Sequence, residues 1–270
     1  MQQFAAKLAK FAADALSEEL ITYPKPGLVS HIDNGSHSDM NYQLFINSIN
    51  SLSGYFYEIA IAAYNDMGFT VLEQLGINAE QTMLAATKNI NTHRGSIFIL
   101  GLLIAAITHS LKYQLPYVQL QDTIISLFAM PLSEHQINSQ SHGSIIREKY
   151  QLESIIESAQ KGFPLLFAGL SRLQEYRLHH GRESKARLVL FFYIMQHLDD
   201  TNLIYRGGIE GLQFARKHAQ NILMMKHWDD IYNNALDLHK QFIQLNLSPG
   251  GCADMLAAVL FIDKVKQLWV

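Results

Sequence analysis

The stretch Asn91-Thr-His-Arg-Gly-Ser-Ile-Phe-Ile-Leu-Gly-Leu-Leu-Ile-Ala-Ala-Ile107 sets the reading of the whole chain. Its first part is polar and carries a glycine. Its second part, Ile97 to Ile107, is the longest apolar run in the sequence. A membrane-spanning helix needs roughly 20 apolar residues, so this run is too short to cross a bilayer and reads as a buried core helix.

The same pairing of a polar block with an apolar helix recurs along the chain. The other blocks are Tyr23-Pro-Lys-Pro-Gly-Leu-Val29, Asp33-Asn-Gly-Ser-His-Ser-Asp-Met40, Ser141-His-Gly143, Asp200-Thr-Asn-Leu-Ile-Tyr-Arg-Gly-Gly208 and Leu247-Ser-Pro-Gly-Gly-Cys-Ala-Asp254. Between them, apolar residues recur at helical spacing. Phe4, Leu8, Phe11, Ala15 and Leu20 mark a helix over 3–21 that Pro24 and Pro26 stop. Phe45, Ile49, Leu52, Phe56, Ile59 and Ala63 mark another over 41–64, with Asp39 as its expected N-cap. Further helical patterns cover 79–89, 95–112, 117–129, 163–178, 183–198, 208–224, 228–245 and 252–267. No sustained two-residue alternation appears. The expected fold is all-α: a multi-helix bundle of about ten helices, as a single domain over residues 1–270.

Composition narrows the function. The chain is 49% hydrophobic and 17% charged, enough to bury a large core. Its formal net charge of −3 argues against a nucleic-acid partner. Lys7, Lys10 and Asp14 interrupt the first helix, so it lacks the apolar core of a signal peptide, and no membrane partner is expected. Cys252 is the only cysteine, which excludes an intramolecular disulfide and fits a cytoplasmic location. A homo-oligomer stays open.

The blocks supply chemistry suited to phosphate and Mg²⁺. A helix N-terminus offers unpaired backbone N–H groups and the positive end of a dipole, and glycine there lets phosphate oxygens approach. Gly95, Gly207-Gly208 and Gly250-Gly251 each precede an expected helix. Arg94 and Arg206 stand beside the first two, and arginine holds phosphate through two hydrogen bonds. Asp33, Asp39, Asp200 and Asp254 are the carboxylates in the blocks, and Mg²⁺ takes one or two carboxylates beside substrate phosphates. Asp39 and Asp254 also fit plain roles as helix caps or first-turn carboxylates, and Asn91, Thr92 and Asn202 fit capping roles. His37, His93 and His142 lack zinc-ligand spacing, and no P-loop motif occurs.

As a set, the blocks resemble the triphosphoribosyl-dephospho-CoA synthase family. The resemblance rests on Pro24-Lys-Pro-Gly-Leu-Val29, Asn91-Thr-His-Arg-Gly95, Asp200-Thr-Asn202 with Arg206-Gly-Gly208, and Ser248-Pro-Gly-Gly251 with Asp254. It runs from about Leu16 to Leu260. Tyr23, Asp33-Asn-Gly-Ser-His37, Arg94, Ser141-His-Gly143 and Gly162-Phe-Pro164 resemble the malonate decarboxylase branch rather than the citrate lyase branch.

The resemblance implies a transferase that joins ATP to 3′-dephospho-CoA and releases adenine. The product is the precursor of the prosthetic group on an acyl carrier subunit. The 2′-hydroxyl of dephospho-CoA displaces adenine at the ribose C1 of ATP, with inversion. The implied substrate-binding set is Lys25, Gly27, Asn34, His37, Asn91, Thr92, Arg94, Gly95, Asn202, Arg206, Gly207, Gly208, Ser248, Gly250 and Gly251. Asp39, Asp200 and Asp254 are the implied Mg²⁺ ligands. His93 is the implied acid or base, with Asp39 as the alternative base.

One segment departs from the family pattern. Where the family has an Arg and then a Glu, Ser154-Ile-Ile-Glu-Ser-Ala-Gln160 places Ile156 and Ser158. Glu157 substitutes for the missing Glu only if the helix turns by one residue, about 100°. Two other readings therefore stand beside the synthase. One is a helical Mg²⁺-dependent hydrolase of a nucleotide or ADP-ribosyl N-glycosidic bond. The other is a non-catalytic nucleotide-binding relative.

Overall fold

Two helices that are apolar around most of their circumference must be buried on most sides, and they form the centre of the protein. The computed structural model describes residues 1–137, 150 and 152–269; the Ser141-His142-Gly143 block lies outside the described residues. Eleven α-helices and no strand occur among the described residues. They are α1 (Gln2–Leu20), α2 (Tyr42–Tyr64), α3 (Phe69–Ala86), α4 (Arg94–Lys112), α5 (Leu120–Ile137), α6 (Ile155–Gln160), α7 (Pro164–His180), α8 (Glu183–His197), α9 (Thr201–Leu223), α10 (Trp228–Gln244) and α11 (Gly250–Val265). The all-α expectation holds.

The two central helices are α4 and α11, which pack on each other. Helix α11 also packs on α1, α7, α8 and α9, and α4 also packs on α2, α3 and α5. By length and composition α4 would suffice to cross a membrane, but it is mostly buried, with Ile97 and Ile99–Thr108 all in the interior. One continuous apolar cluster joins residues from every α-helix.

Five elements differ from the sequence expectation: helix α5 runs on to Ile137, past its expected end at 129, with Pro131 inside it, and the other four differ for a local reason. Helix α3 begins at Phe69 rather than near 79, and its only buried residues, Ala79 and Met83, lie in its second half. Its first half carries Phe69, Leu72 and Leu75 at helical spacing, but they are only partly buried against the core. Asp39 is not the N-cap of α2: that role falls to Asn41, whose Oδ1 accepts from the Leu44 N–H at 2.9 Å. Helix α6 was not expected. It is a single short turn set by a capping box, in which Ser154 Oγ accepts from Glu157 N and the Glu157 carboxylate accepts from Ser154 N.

Helix α9 begins at Thr201, seven residues before its expected start. Gly208 sits inside it with φ 65° and ψ −166°, a conformation open to glycine, and kinks it into two pieces. The periodic signal begins only after that kink. Asp200 caps the first piece, its Oδ1 accepting from Asn202 N at 2.8 Å and Leu203 N at 3.2 Å. Its Oδ2 accepts from Cys252 N, in the first turn of α11, at 2.8 Å. One buried carboxylate thus ties two helix starts together.

Replacing Asp200 with Ala removes acceptors from three N–H groups. Such a loss costs on the order of 2–3 kcal/mol, more than a single cap provides. Urea unfolding of Asp200→Ala is expected to show a midpoint lowered accordingly with an unchanged m-value. A midpoint equal to that of the parent would contradict the double-cap role.

Candidate active site

A cavity of about 1230 Å³ opens where the N-termini of α4, α9 and α11 converge. Arg94, Gly95 and Ser96 line it from α4, Thr201 and Asn202 from α9, and Gly250 and Gly251 from α11. Three helix N-termini around one space give a standing preference for anions.

At one side stand Arg206, His37, Ser248 and Asp39. The Arg206 Nη1 donates to Ser36 O at 3.2 Å, Asn246 O at 3.3 Å and Asn246 Oδ1 at 2.8 Å. Its Nη2 lies 3.2 Å from His37 Nδ1, and His37 Nε2 lies 2.8 Å from Ser248 Oγ. Because guanidinium only donates, His37 Nδ1 accepts and Nε2–H donates to Ser248. Burial, and then Arg206, lower the His37 pKa. Asp39 is 3.7 Å from His37 and mostly exposed. Arg206 has no carboxylate partner among the described residues. It is a cation anchored by neutral acceptors, which leaves its charge available to a ligand.

At the other side lie Asp254, Ser96, His93 and Thr92. The Ser96 hydroxyl donates to Asp254 Oδ1. A Cβ at Gly95 would lie 2.1 Å from Asp254 Oδ2, so only glycine admits this approach. Burial pushes the Asp254 pKa up to about 7, with Glu19 and Asp200 adding repulsion against the Ser96 bond. His93 is buried, its Nδ1 lies 2.7 Å from Ser48 Oγ, and its pKa is pushed down to about 3 by burial and then by Lys25.

Eight carboxylates line the cavity among the described residues: Glu19, Asp39, Glu73, Glu80, Glu153, Asp199, Asp200 and Asp254. Lys25, Arg94, Lys161 and Arg216 pair with Glu19, Glu80, Glu153 and Asp199. Asp39, Asp200 and Asp254 have no Lys or Arg partner among the described residues. No three His, Cys, Asp or Glu side chains converge on one metal position among the described residues, so the three Asp do not form a metal site by themselves. Asp200 is committed to three backbone N–H groups and Asp254 keeps its proton up to about pH 7, so Asp39, exposed beside Arg206's neighbour His37, is the hard oxygen donor that fits Mg²⁺ carried on a polyphosphate.

Most of the anticipated site residues are brought together here. His37, Asp39, Asn91, Thr92, His93, Arg94, Gly95, Asp200, Asn202, Arg206, Ser248, Gly250, Gly251 and Asp254 all line the cavity. Five do not line it. The Lys25 ammonium is buried and donates to Glu19, both to its carbonyl at 2.6 Å and to its carboxylate, so it stands behind the wall. Gly27 gives its N–H to His239 Nδ1 at 3.2 Å and accepts from Ser36 N at 3.0 Å, joining loop to helix. Asn34 is exposed away from the cavity. Gly207 faces the Leu247 side chain, and Gly208 is the kink.

Ile156 and Ser158 do line the cavity, so the departure falls on the site itself. Glu157 does not line the cavity: its carboxylate is held in the capping box at the start of α6. The sequence reading missed Glu19 and Ser48. Neither left a mark in the sequence: the burial of Lys25 that makes Glu19 its partner is visible only in the fold, and Ser48 sits in an apolar stripe.

Fold and site together define a helical enzyme with a nucleotide-sized cavity ringed by helix starts. The family model "ATP:dephospho-CoA triphosphoribosyl transferase" matches residues 5–270, and the chain belongs to this CitG family of transferases. An Acinetobacter calcoaceticus protein named "Probable 2-(5''-triphosphoribosyl)-3'-dephosphocoenzyme-A synthase" is 36% identical, covering 99% of this chain and 94% of its own. A Pseudomonas savastanoi pv. phaseolicola protein of the same name is 38% identical over 96% of this chain and 91% of its own. In fold, the chain is similar to the crystal structure of an Archaeoglobus fulgidus protein assigned as triphosphoribosyl-dephospho-CoA synthase. The TM-score is 0.50 at 14% identity, over 82% of this chain and 98% of that one.

The raised Asp254 pKa has a consequence for stability. An unfolded Asp loses its proton near pH 4, whereas folded Asp254 keeps it up to about pH 7. Across that window the native state binds more protons, so its stability falls as pH rises. Asp254→Asn lacks this penalty. Its melting temperature is expected to exceed the parent's at pH 8, with the gain vanishing towards pH 4. A variant less stable than the parent at pH 8 would show that the ionised carboxylate is stabilised.

Proposed function

We propose that this protein transfers the triphosphoribosyl group of ATP to 3′-dephospho-CoA and releases adenine. The supporting observation is the pairing, in one cavity, of a free Arg206 and three helix starts with the near-neutral Asp254. The first group suits a triphosphate. The second suits removal of a proton from a hydroxyl at neutral pH. The malonate decarboxylase branch, suggested by Tyr23, Arg94 and Gly162-Phe-Pro164, makes an acyl carrier subunit of that enzyme the final destination of the product.

In this reading the triphosphate lies among Arg206, Ser248 and the Gly250-Gly251 helix start, with His37 orienting Arg206 and Ser248. These donors hold it without needing to move. Mg²⁺ would be held by phosphate oxygens with Asp39 beside them, and when bound it offsets phosphate charge in a carboxylate-rich cavity. Asp254 takes the proton of the dephospho-CoA 2′-hydroxyl as that oxygen attacks ribose C1. Asp200 keeps both helix starts in place. Ile156 leaves an apolar wall where relatives carry a cation, so a substrate anion there would be held more weakly.

The test is a mass-spectrometric assay with ATP, 3′-dephospho-CoA and Mg²⁺. Adenine and adduct are expected to appear together in equal amounts, and EDTA is expected to abolish both. Adenine without adduct would indicate an N-glycosidic hydrolase. Neither product from folded, ATP-binding protein would indicate a non-catalytic relative.

Arg206→Ala is expected to raise KM for ATP by roughly 10–100-fold, the loss of a charged hydrogen bond of about 1.5–3 kcal/mol. Steady-state kinetics measures it. An unchanged KM would move the triphosphate elsewhere in the cavity.

A further inference from the structure

We propose that His93 is a neutral N–H donor to the departing adenine, held in the required tautomer by Ser48 and Thr92. This deepens the transfer reading above and rests on it.

The geometry begins on α2. The Thr92 hydroxyl donates to Ser48 Oγ at 2.7 Å, and Ser48 Oγ lies 2.7 Å from His93 Nδ1. A hydroxyl has one proton to give. With Thr92 donating to it, Ser48 directs its own proton at Nδ1. A neutral imidazole has one N–H, so an accepting Nδ1 places the hydrogen on Nε2. Ser48 is fully buried, and Phe45 meets the imidazole edge-on at a centroid distance of 5.1 Å, which holds the ring plane.

Nε2 is the observation that points to a ligand. It is buried without a hydrogen-bond partner, the only histidine nitrogen in that condition among the described residues. An orphaned buried donor is costly and rare, and here its residue lines the large cavity. The ring also stays uncharged at neutral pH, because burial and the nearby Lys25 ammonium both oppose protonation. Imidazolium chemistry is therefore closed to it, and hydrogen bonding remains.

The proposed step uses such a donor. The dephospho-CoA 2′-oxygen forms a bond to ribose C1 as the C1–N9 bond breaks. The bonding pair moves into the purine, and charge grows on its ring nitrogens. The hydroxyl proton passes to Asp254 and returns to adenine on release, so neutral adenine leaves. His93 keeps its proton throughout and gives a hydrogen bond that strengthens as the charge grows. In the opposite tautomer, an Nε2 lone pair would face the purine nitrogens and oppose departure. Ser48 and Thr92 are positioning residues.

The experiment combines kinetics with ¹⁵N NMR of histidine-labelled full-length protein. In the parent, His93 is expected as the Nε2–H tautomer from pH 8 down to pH 5. Ser48→Ala should give mixed tautomers, with kcat down roughly 10–100-fold and KM for ATP within about twofold. Ser48→Thr should restore both the tautomer and kcat. His93→Ala should lose roughly 100–1,000-fold in kcat, as for removal of a donor to developing charge. An Nδ1–H tautomer or an imidazolium in the parent would overturn the proposal. So would a Ser48→Ala protein with shifted tautomers and unchanged kcat. Parent protein that forms no adduct would overturn the transfer reading along with this one, whereas adduct formed equally well by parent and Ser48→Ala would overturn this one alone.

Discussion

The structure depends on one contact: the Asp254 carboxylate seated against the first turn of α4. Gly95 has no side chain to block it, and the Ser96 hydroxyl donates to it. This contact brings the starts of the two most buried helices together in the interior. A helix start buried without partners leaves N–H groups unsatisfied, each a substantial cost. The fold avoids that cost by opening a polar cavity there and lining it with caps. The site is thus a consequence of how the core is assembled.

Asp200 extends the same logic to a third helix. Its oxygens accept from α9 and α11 together, so a single buried side chain ties those two helix starts to each other. His37 and Arg206 then close the ring from the 22–40 loop and from α9. That loop is itself tied to α10, where His239 Nε2 lies 3.0 Å from Asp33 Oδ1 and Nδ1 accepts from Gly27 N. Gly27 and Lys25 belong to this scaffold. They resemble site residues in sequence because the scaffold and the site share one short block.

What was legible in the sequence follows from which forces act locally. Apolar period marks helices with a buried stripe, so α1, α2 and α4 could be read directly. In α3 the period of Phe69, Leu72 and Leu75 is present but marks only a partly buried stripe, and apolar period fails for the first piece of α9, which caps and glycines define. Polar blocks showed which residues gather at the cavity, because capping, glycine and charge all leave local marks. Partnerships across the fold leave no such mark. Nothing near Lys25 in sequence announces that Glu19 neutralises it, and nothing marks Ser48, a small polar residue in an apolar stripe, as the partner of His93. Cap identity also escaped: Asp39 and Asn41 are both good capping residues two positions apart, and only the backbone decides that Asn41 serves.

The departure at α6 bears on how the cavity handles charge. Ile156 and Ser158 face it, while Glu157 is committed to its own helix start. The family resemblance implies one charge of each sign at these positions, so Ile and Ser there leave the net charge of the wall unchanged. A buried ion pair often contributes little net stability once desolvation is counted, so an apolar and hydroxyl substitute is tolerated structurally. What changes is recognition. With that pair gone, Arg206 and Arg94 are the guanidinium groups that line the cavity among the described residues, and Arg94 is already paired with Glu80. The burden of holding anions therefore falls on Arg206 and the helix starts. Those starts are fixed by Asp200 and Asp254, so in this chain the anion site is carried by the same contacts that hold the core together.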